Sequence, residues 1–226
     1  MKVLIINNLQ SGLQDGSIFD FMRKLSRDGD ELIVRSTDGT TPVDLLLADA
    51  AMFDLVVASG GDGTIAGVCY ALRSTGIPIL PFPAGTSNLI AVNLDQPEGP
   101  HALVDMVRAG HTLDFDLGEI VYDSPSGKIC RGFMISGGAG YDATIMENSK
   151  PLKKAFGSSA YIFSALGSPA KVAEFTIHLD DETVKTEAIA VMAMNFSKIH
   201  PDISITHAND ARDGLLEVVV LKQHSS

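Results

Sequence analysis

The sequence predicts an α/β fold: an N-terminal open parallel-sheet domain over residues 1–110, followed by a β-rich antiparallel domain over residues 111–226. Two observations carry the prediction. In the first half, short apolar runs alternate with runs of helical period, the pattern of parallel strands joined by crossover helices. In the second half, strand patterns come back to back across the turn sequences DSPSGK and DDET, the pattern of hairpins. A third observation locates the chemistry. The stretch ASGGDGTIAG, residues 58–67, sets one acid among four glycines between an apolar run and an amphipathic one.

Lys2 to Asn7 reads as a buried strand. Ile18, Phe19, Phe21, Met22 and Leu25 share a helical stripe over residues 17–26. Glu31 to Arg35 is a second strand. Thr41 is expected to cap a helix that Pro42 opens and that keeps Val43, Leu46, Leu47 and Ala50 in register. Asp54 to Ala58 and Ile77 to Leu80 are strands three and four, with a helix from Thr64 to Arg73 between them, ended by Gly76. A last helix, Glu98 to Ala109, closes at Gly110, where the domain boundary is expected. Beyond it, Thr112–Tyr122 pairs with Ile129–Ser136, and Val172–Leu179 with Val184–Met194. Helical stretches Asp142–Ser149 and Leu152–Leu166 interrupt the series.

Composition narrows the class. The chain has 226 residues, 45% hydrophobic and 20% charged, enough for one large or two small domains with a real core. Its net charge of −11 argues against nucleic-acid binding, which calls for a basic footprint, and against whole-body attraction to an anionic membrane. Apolar runs such as Val3 to Ile6 are too short to cross a bilayer, so no transmembrane segment is expected. MKVLIINN reads as a strand rather than a signal peptide. Cys69 and Cys130 lack CxxC or Cys/His spacing, which fits buried thiols in a reducing cytoplasm. There is no HExxH and no Gly-x-Ser-x-Gly, so neither a zinc protease nor a serine hydrolase has support.

DLVVAS delivers the glycines to the carboxyl end of a central parallel strand, the edge where open α/β sheets bind ligands. Glycines there let backbone N–H groups approach a phosphate, and the following helix points its positive end at it. The loop is neither a Walker A motif nor GxGxxG. No Lys or Arg lies between Arg35 and Arg73, and a helix N-terminus supplies only about half a positive charge. A nucleotide's phosphates therefore imply a divalent cation, held by Asp62 directly or through water. The plain alternative is a tight turn with Asp62 capping its own helix. A second loop, PFPAGTSNLIA at residues 81–91, favours the ligand reading: Gly85, Thr86, Ser87 and Asn88 again sit at a helix start. NNLQSG after strand one adds Asn8 and Gly12.

Together these residues resemble the diacylglycerol kinase catalytic-domain family, including its bacterial lipid kinases. GGDGT (60–64), PAGTSN (83–88), GYDA (140–143) and DGLLEV (213–218) match four of its motifs in order. The resemblance implies two domains with the active site between them, ATP and Mg2+ as cofactors, and γ-phosphate transfer to a lipid hydroxyl. It implies that Gly60, Gly61, Asp62, Gly63 and Thr64 bind ATP and its metal. Asn8, Gly85, Thr86 and Asn88 complete the nucleotide site, and Thr37 matches a threonine after strand two, with Ser36 as the alternative. Asp116 resembles an acid near the magnesium network and joins Asp62 as a catalytic candidate. Asp213, with the carbonyls of Asp210 and Leu215, resembles a structural metal site; an ordinary Asp-Gly turn is the alternative.

The match has four departures. Leu9 stands where the first loop usually has proline, Ile65-Ala66-Gly67 lacks the Asn-Glu that often follows GGDGT, and Leu89 replaces an acid. The family's late Asp-Gly-Glu, which supplies a general base, occurs nowhere in these 226 residues, so a C-terminal truncation is one expectation. Lys150, Lys153 and Lys154 precede an apolar stripe of Phe156, Tyr161, Ile162, Phe163 and Leu166; a core helix is the first reading and a membrane contact the second. The expected protein is a cytoplasmic, ATP-dependent lipid kinase that meets its lipid at the membrane surface, with a homodimer allowed. The alternatives are an NAD kinase, or a non-catalytic nucleotide- or lipid-binding protein on the same fold.

Overall fold

Four strands form the first sheet: β1 (Lys2–Asn8), β2 (Glu31–Thr37), β3 (Leu55–Gly60) and β4 (Ile79–Pro83). They lie in the order β2-β1-β3-β4 and every pair is parallel. The computed structural model describes residues 1–12, 16–27, 29–140, 172–200, 203–204, 206 and 210–222. Helix α1 (Ser17–Arg27) follows β1, and α2 (Val43–Leu46) with a 3-10 turn at Ala50–Met52 follows β2. After β3 comes α3 (Asp62–Ala71); after β4 come α4 (Leu89–Asn93) and α5 (Pro100–Ala109).

The period of two along the strands sorts their side chains into two cores. Leu4, Ile6, Val56 and Ala58 pack with Ile65, Val68 and Cys69 of α3. Val3, Ile5, Leu55 and Val57 pack with Ile18, Phe21 and Leu25 of α1 and with Leu103 and Val104 of α5. Helices therefore cover both faces of the sheet, as the alternating pattern requires. Pro100 at the start of α5 and left-handed Gly110 (φ 68°) at its end match their usual positions.

The helix expected from Pro42 to Ala50 is shorter. Pro42 is extended and its helix stops at Leu46, without a side-chain cap from Thr41. The cause lies on β2. Arg35 Nη1 donates to the Leu46 carbonyl at 2.6 Å, the acceptor that a continuing helix would need for Ala50. The same guanidinium grips Asp49 bidentately at 2.6 and 2.7 Å.

The second half is β-rich and antiparallel, in several small sheets. β5 (Gly118–Ser124) pairs with β6 (Gly127–Phe133), and β8 (Ala173–His178) with β9 (Thr183–Ala188). β7 (Ser136–Gly140), β10 (Ala190–Met194) and β13 (Glu217–Leu221) form one sheet with β10 in the middle. β11 (Lys198–His200) meets β12 (Ile203–Ser204).

Two expected strands change. The one starting at Thr112 forms only from Gly118, because Phe115 and Leu117 turn inward against the first domain's core. Val184–Met194 divides at Ile189, whose N–H donates to the Leu221 carbonyl at 2.8 Å, so β9 stays with β8 while β10 crosses to β7 and β13. Met134, Phe196 and Ala211 join the α3-side core and tie the halves together. The helices expected at 142–149 and 152–166, the Lys150–Leu166 stretch, and the GYDA motif after Gly140 lie outside the described residues. No described helix is long and apolar enough to cross a membrane.

Candidate active site

The strand register brings the loop residues to one edge. Asn8 lies opposite Thr37, Asn7 opposite Ser59, and Gly60 opposite Pro83. All are at carboxyl ends. The chain moves outward to β2 on one side of β1 and to β3 on the other, so the edge opens a crevice at a topological switch point.

The glycine motif is tighter than a loop. β3 ends at Gly60, only Gly61 intervenes, and α3 starts at Asp62 rather than at Thr64. Asp62 is thus in the first helical turn, where an acid suits the helix dipole. It makes no cap to its own helix. Its Oδ1 instead accepts the Ile90 N–H at 2.9 Å and secures the start of α4. Its Oδ2 has no hydrogen-bond partner among the described residues.

Three loops are pressed together here. A Cβ on Gly85 would lie 2.5 Å from Gly61 Cα, and one on Gly12 only 1.7 Å from the Ala84 carbonyl oxygen, at φ +64°. Backbone touches backbone at both points, and any side chain would separate the loops. Hydrogen bonds complete the seam. Asn8 Nδ2 donates to Thr64 Oγ1 at 2.8 Å, and Ser11 Oγ accepts the Gly61 N–H at 3.2 Å. The Ala84 N–H donates to the Gly60 carbonyl at 3.0 Å. Asn88, left-handed at φ 49°, accepts the Gly85 N–H at 2.8 Å and closes the second loop around Thr86, which is exposed. Gly63 is exposed on the first turn of α3.

Thr37, not Ser36, faces inward: it is buried and its Oγ1 accepts the Gly39 N–H at 3.0 Å. Leu9 keeps an N–H that a proline would lack, and donates it to the Thr37 carbonyl at 2.8 Å. That departure therefore adds a bond between the first loop and β2.

A cavity of about 540 Å³ opens on the α1 side of this edge, lined by Asn7, Ser11, Ser59, Phe82, Thr86 and Asn88 among others. No described residue lining it is charged. Asparagine, serine and threonine side chains and the start of α1 line the space.

The second-half acids gather elsewhere. Asp116 Oδ2 accepts the Gly214 N–H at 2.7 Å, and its own N–H donates to the Ala211 carbonyl at 2.6 Å. Asp213 Oδ1 accepts the Leu215 N–H at 2.9 Å, and its N–H donates to the Asp210 carbonyl at 3.2 Å. Asp210 is engaged bidentately by Arg212, whose hydrogen bonds hold its carboxyl below the usual range. Asp116 and Asp213 thus share one turn, with Leu215 exposed at its end. Among the described residues no three His, Cys, Asp or Glu side chains converge into one cluster. Mg2+ does not require one. It commonly takes one or two carboxylates plus substrate phosphates, and Asp62 with its open oxygen fits that donor set.

Sequence reasoning missed Asn195, which is 1% exposed and donates to the Asp116 and Met134 carbonyls at 2.7 and 3.0 Å. The available signal was a polar residue between the apolar run Ala190–Met194 and Phe196. It also missed Asn93. That side chain donates to the Lys198 carbonyl and accepts the Lys198 N–H, at 3.0 and 3.1 Å, joining α4 to β11.

Comparison with known proteins agrees with this arrangement. The family model described as the diacylglycerol kinase catalytic domain matches residues 2–120. The model described as the YegS C-terminal NAD kinase beta sandwich-like domain matches residues 136–226. An uncharacterised protein of Synechocystis sp. is 30% identical over 181 residues, covering 76% of this chain and 39% of that protein. A protein named diacylglycerol kinase from Mycobacterium tuberculosis is 28% identical over 186 residues, covering 80% of this chain and 59% of its own length. The chain therefore spans less than two thirds of either relative. A solved diacylglycerol kinase from Bacillus anthracis shares the fold with a TM-score of 0.71 at 22% identity, over 98% of this chain and 73% of that one. From its glycine-loop edge and this coverage, the chain belongs to the diacylglycerol kinase catalytic-domain family of kinase-type phosphotransferases, joined to a YegS-type C-terminal domain.

Proposed function

We propose that this chain carries a nucleotide half and an acceptor half of an ATP-dependent lipid kinase. Residues 1–110 bind ATP, and residues 111–226 present a lipid hydroxyl taken from the membrane surface by a cytoplasmic protein. The carrying observation is the loop seam at the carboxyl edge, where Asp62 secures α4 with one oxygen and leaves the other open.

Asn8, Thr37, Gly60, Gly61, Gly63, Thr64, Gly85, Thr86 and Asn88 provide the uncharged wall for the nucleotide. Asp62 would hold Mg2+, which supplies charge neutralisation to the phosphates. The Asp213 side chain, with the carbonyls of Asp210 and Leu215, would hold a structural cation. In the reaction the lipid oxygen attacks the γ-phosphorus, the bond to ADP breaks, and the hydroxyl proton leaves to a carboxylate. Positioning and electrostatics supply most of such catalysis, and a well-placed base adds roughly 10²- to 10⁴-fold. We assign the proton to Asp116, or to Asp62 where the cation is held through water rather than directly.

An NAD kinase is the second reading, favoured only by the fold description of the C-terminal domain. Transfer from γ-labelled ATP to a panel of lipids in mixed micelles, with NAD as one acceptor, separates the two. Asp62→Asn keeps an oxygen for the Ile90 N–H, so it should fold normally and lose at least about 10²-fold in transfer. Label in NAD alone would reverse the order. ATP binding without transfer would indicate a non-catalytic binder.

A further inference from the structure

The geometry points to Asn195 as a positioning residue that sets the Asp116 carboxylate against the Asp213–Gly214 turn. The role of Asp116 rests on the phosphotransfer reading above; the positioning does not.

Asn195 sits just after β10 and is almost wholly buried. Its backbone N–H donates to the Ile135 carbonyl at 2.8 Å, which anchors its main chain. Its Nδ2 reaches two carbonyls far away in sequence, Asp116 at 2.7 Å and Met134 at 3.0 Å. The side chain thus joins the segment before β5 to the link between β6 and β7.

Asp116 is consequently held at three atoms. Asn195 takes its carbonyl, Ala211 accepts its N–H, and Gly214 donates to its carboxylate. The residue lies before β5, outside any strand ladder, so no sheet register fixes it. With backbone and carboxylate both tied, the side chain has little freedom to swing. Without the carboxamide, the Asp116 and Met134 carbonyls lose their side-chain donor, and the Asp116 segment is restrained by only two bonds.

Asn195 is not there as a volume filler. Its Oδ1 is buried without a donor among the described residues, a cost that an apolar residue of similar size would avoid. The amide end is what the site uses.

The test is a double-mutant cycle of Asn195→Leu and Asp116→Asn, read by kinetics and by amide exchange of the wild type and each variant. Leucine fills the volume and supplies no donor. If Asn195 acts through Asp116, Asn195→Leu should lower kcat roughly 10- to 100-fold at unchanged KM for ATP. The double variant should then be no worse than Asp116→Asn alone. Exchange of the Gly214 amide should quicken about tenfold while Ile5 and Val57 stay protected. Additive losses, an unchanged Gly214 amide, or equal loosening of every second-half amide would overturn the proposal. If Asn195→Leu does not fold, Asn195→Ser, which keeps one donor, takes its place with an intermediate expected effect. If the wild type transfers phosphate to no acceptor, the phosphotransfer reading fails, and the Gly214 exchange alone decides the positioning.

Discussion

The two halves of this molecule keep their shape by different means. In residues 1–110 one continuous sheet carries the geometry: Val3 to Ile6 are fully buried, and β3 is buried from Leu55 to Gly60. In the second half the β8–β9 hairpin exposes nearly every other residue and pairs with no other described strand. Two-stranded ribbons of this kind are marginal alone. Among the contacts that seat this half on the first are the apolar plugs Met134, Phe196 and Ala211 and one asparagine, Asn93, while Asn195 ties segments within the second half. Packing is non-directional and spread over many side chains, so no single bond sets the sheet of the first half. The second half depends more on a few directional bonds, each removable singly. Damage to the first half should therefore register as lost stability, and damage to the second as lost geometry.

The sharpest test contrasts two phenylalanines. Phe21 is fully buried and meets Phe82 edge-to-face at 5.3 Å, so Phe21→Ala should cost about 3–5 kcal/mol in denaturant melts. Phe175 in β8 is only half-buried, and Phe175→Ala should cost clearly less. Equal losses would erase the distinction between the halves.

Next come two glycines of the site. Gly85→Ala forces a Cβ onto Gly61 and should cost about 1–3 kcal/mol, with weakened ATP binding by calorimetry. Gly63 has open space around its position in α3, so Gly63→Ala should be neutral or stabilise by about 0.5–1 kcal/mol.

A smaller effect is expected at Asp30, which pairs with Arg108 and joins the turn before β2 to α5. The guanidinium hydrogen bond holds this carboxyl below its usual value. A folded-state pKa lower than the unfolded one stabilises at pH above the unfolded value, and that contribution fades as pH falls through the folded one. Asp30→Asn should cost about 1 kcal/mol at pH 7. The difference in Tm from wild type should close as pH drops from about 5 towards 2. A constant gap would mean that the charge is irrelevant.

The mildest test disturbs no residue. Cys69 in α3 is buried, and burial pushes its thiol up to about 12, whereas Cys130 on β6 is exposed. A disulfide reagent at pH 8 should titrate one thiol in the native protein and the second only after unfolding. Rapid reaction of both would show α3 opening.

Much of the first half was legible in the sequence because its signals are local. The run Val3–Ile6 predicts a buried strand, and the stripe Ile18, Phe19, Phe21, Met22 and Leu25 predicts the helix, although Phe19 is exposed and only Ile18, Phe21 and Leu25 are buried. The short α2 was not legible, since its end depends on Arg35, eleven residues away along the chain. In the candidate site, Asp62 was singled out by its motif. Its actual partner, the Ile90 amide, is 28 residues distant, and no pattern within the glycine motif could name it. Asn195 was missed for the same reason: its partners are 79 and 61 residues away.

By itself the sequence determined the α/β-then-β order, the edge at which the loops emerge, and a stretch from residue 36 to 72 without Lys or Arg. Those follow from hydrophobic period, strand-to-helix alternation and residue chemistry, all of which act between near neighbours. Only the tertiary structure decided that Asp62 caps α4 rather than α3, that Thr37 and not Ser36 faces inward, and that Asp116 shares a turn with Asp213. Each of these is a hydrogen bond or burial made after the chain has folded back on itself, and such contacts are set by packing between segments that carry no local record of one another.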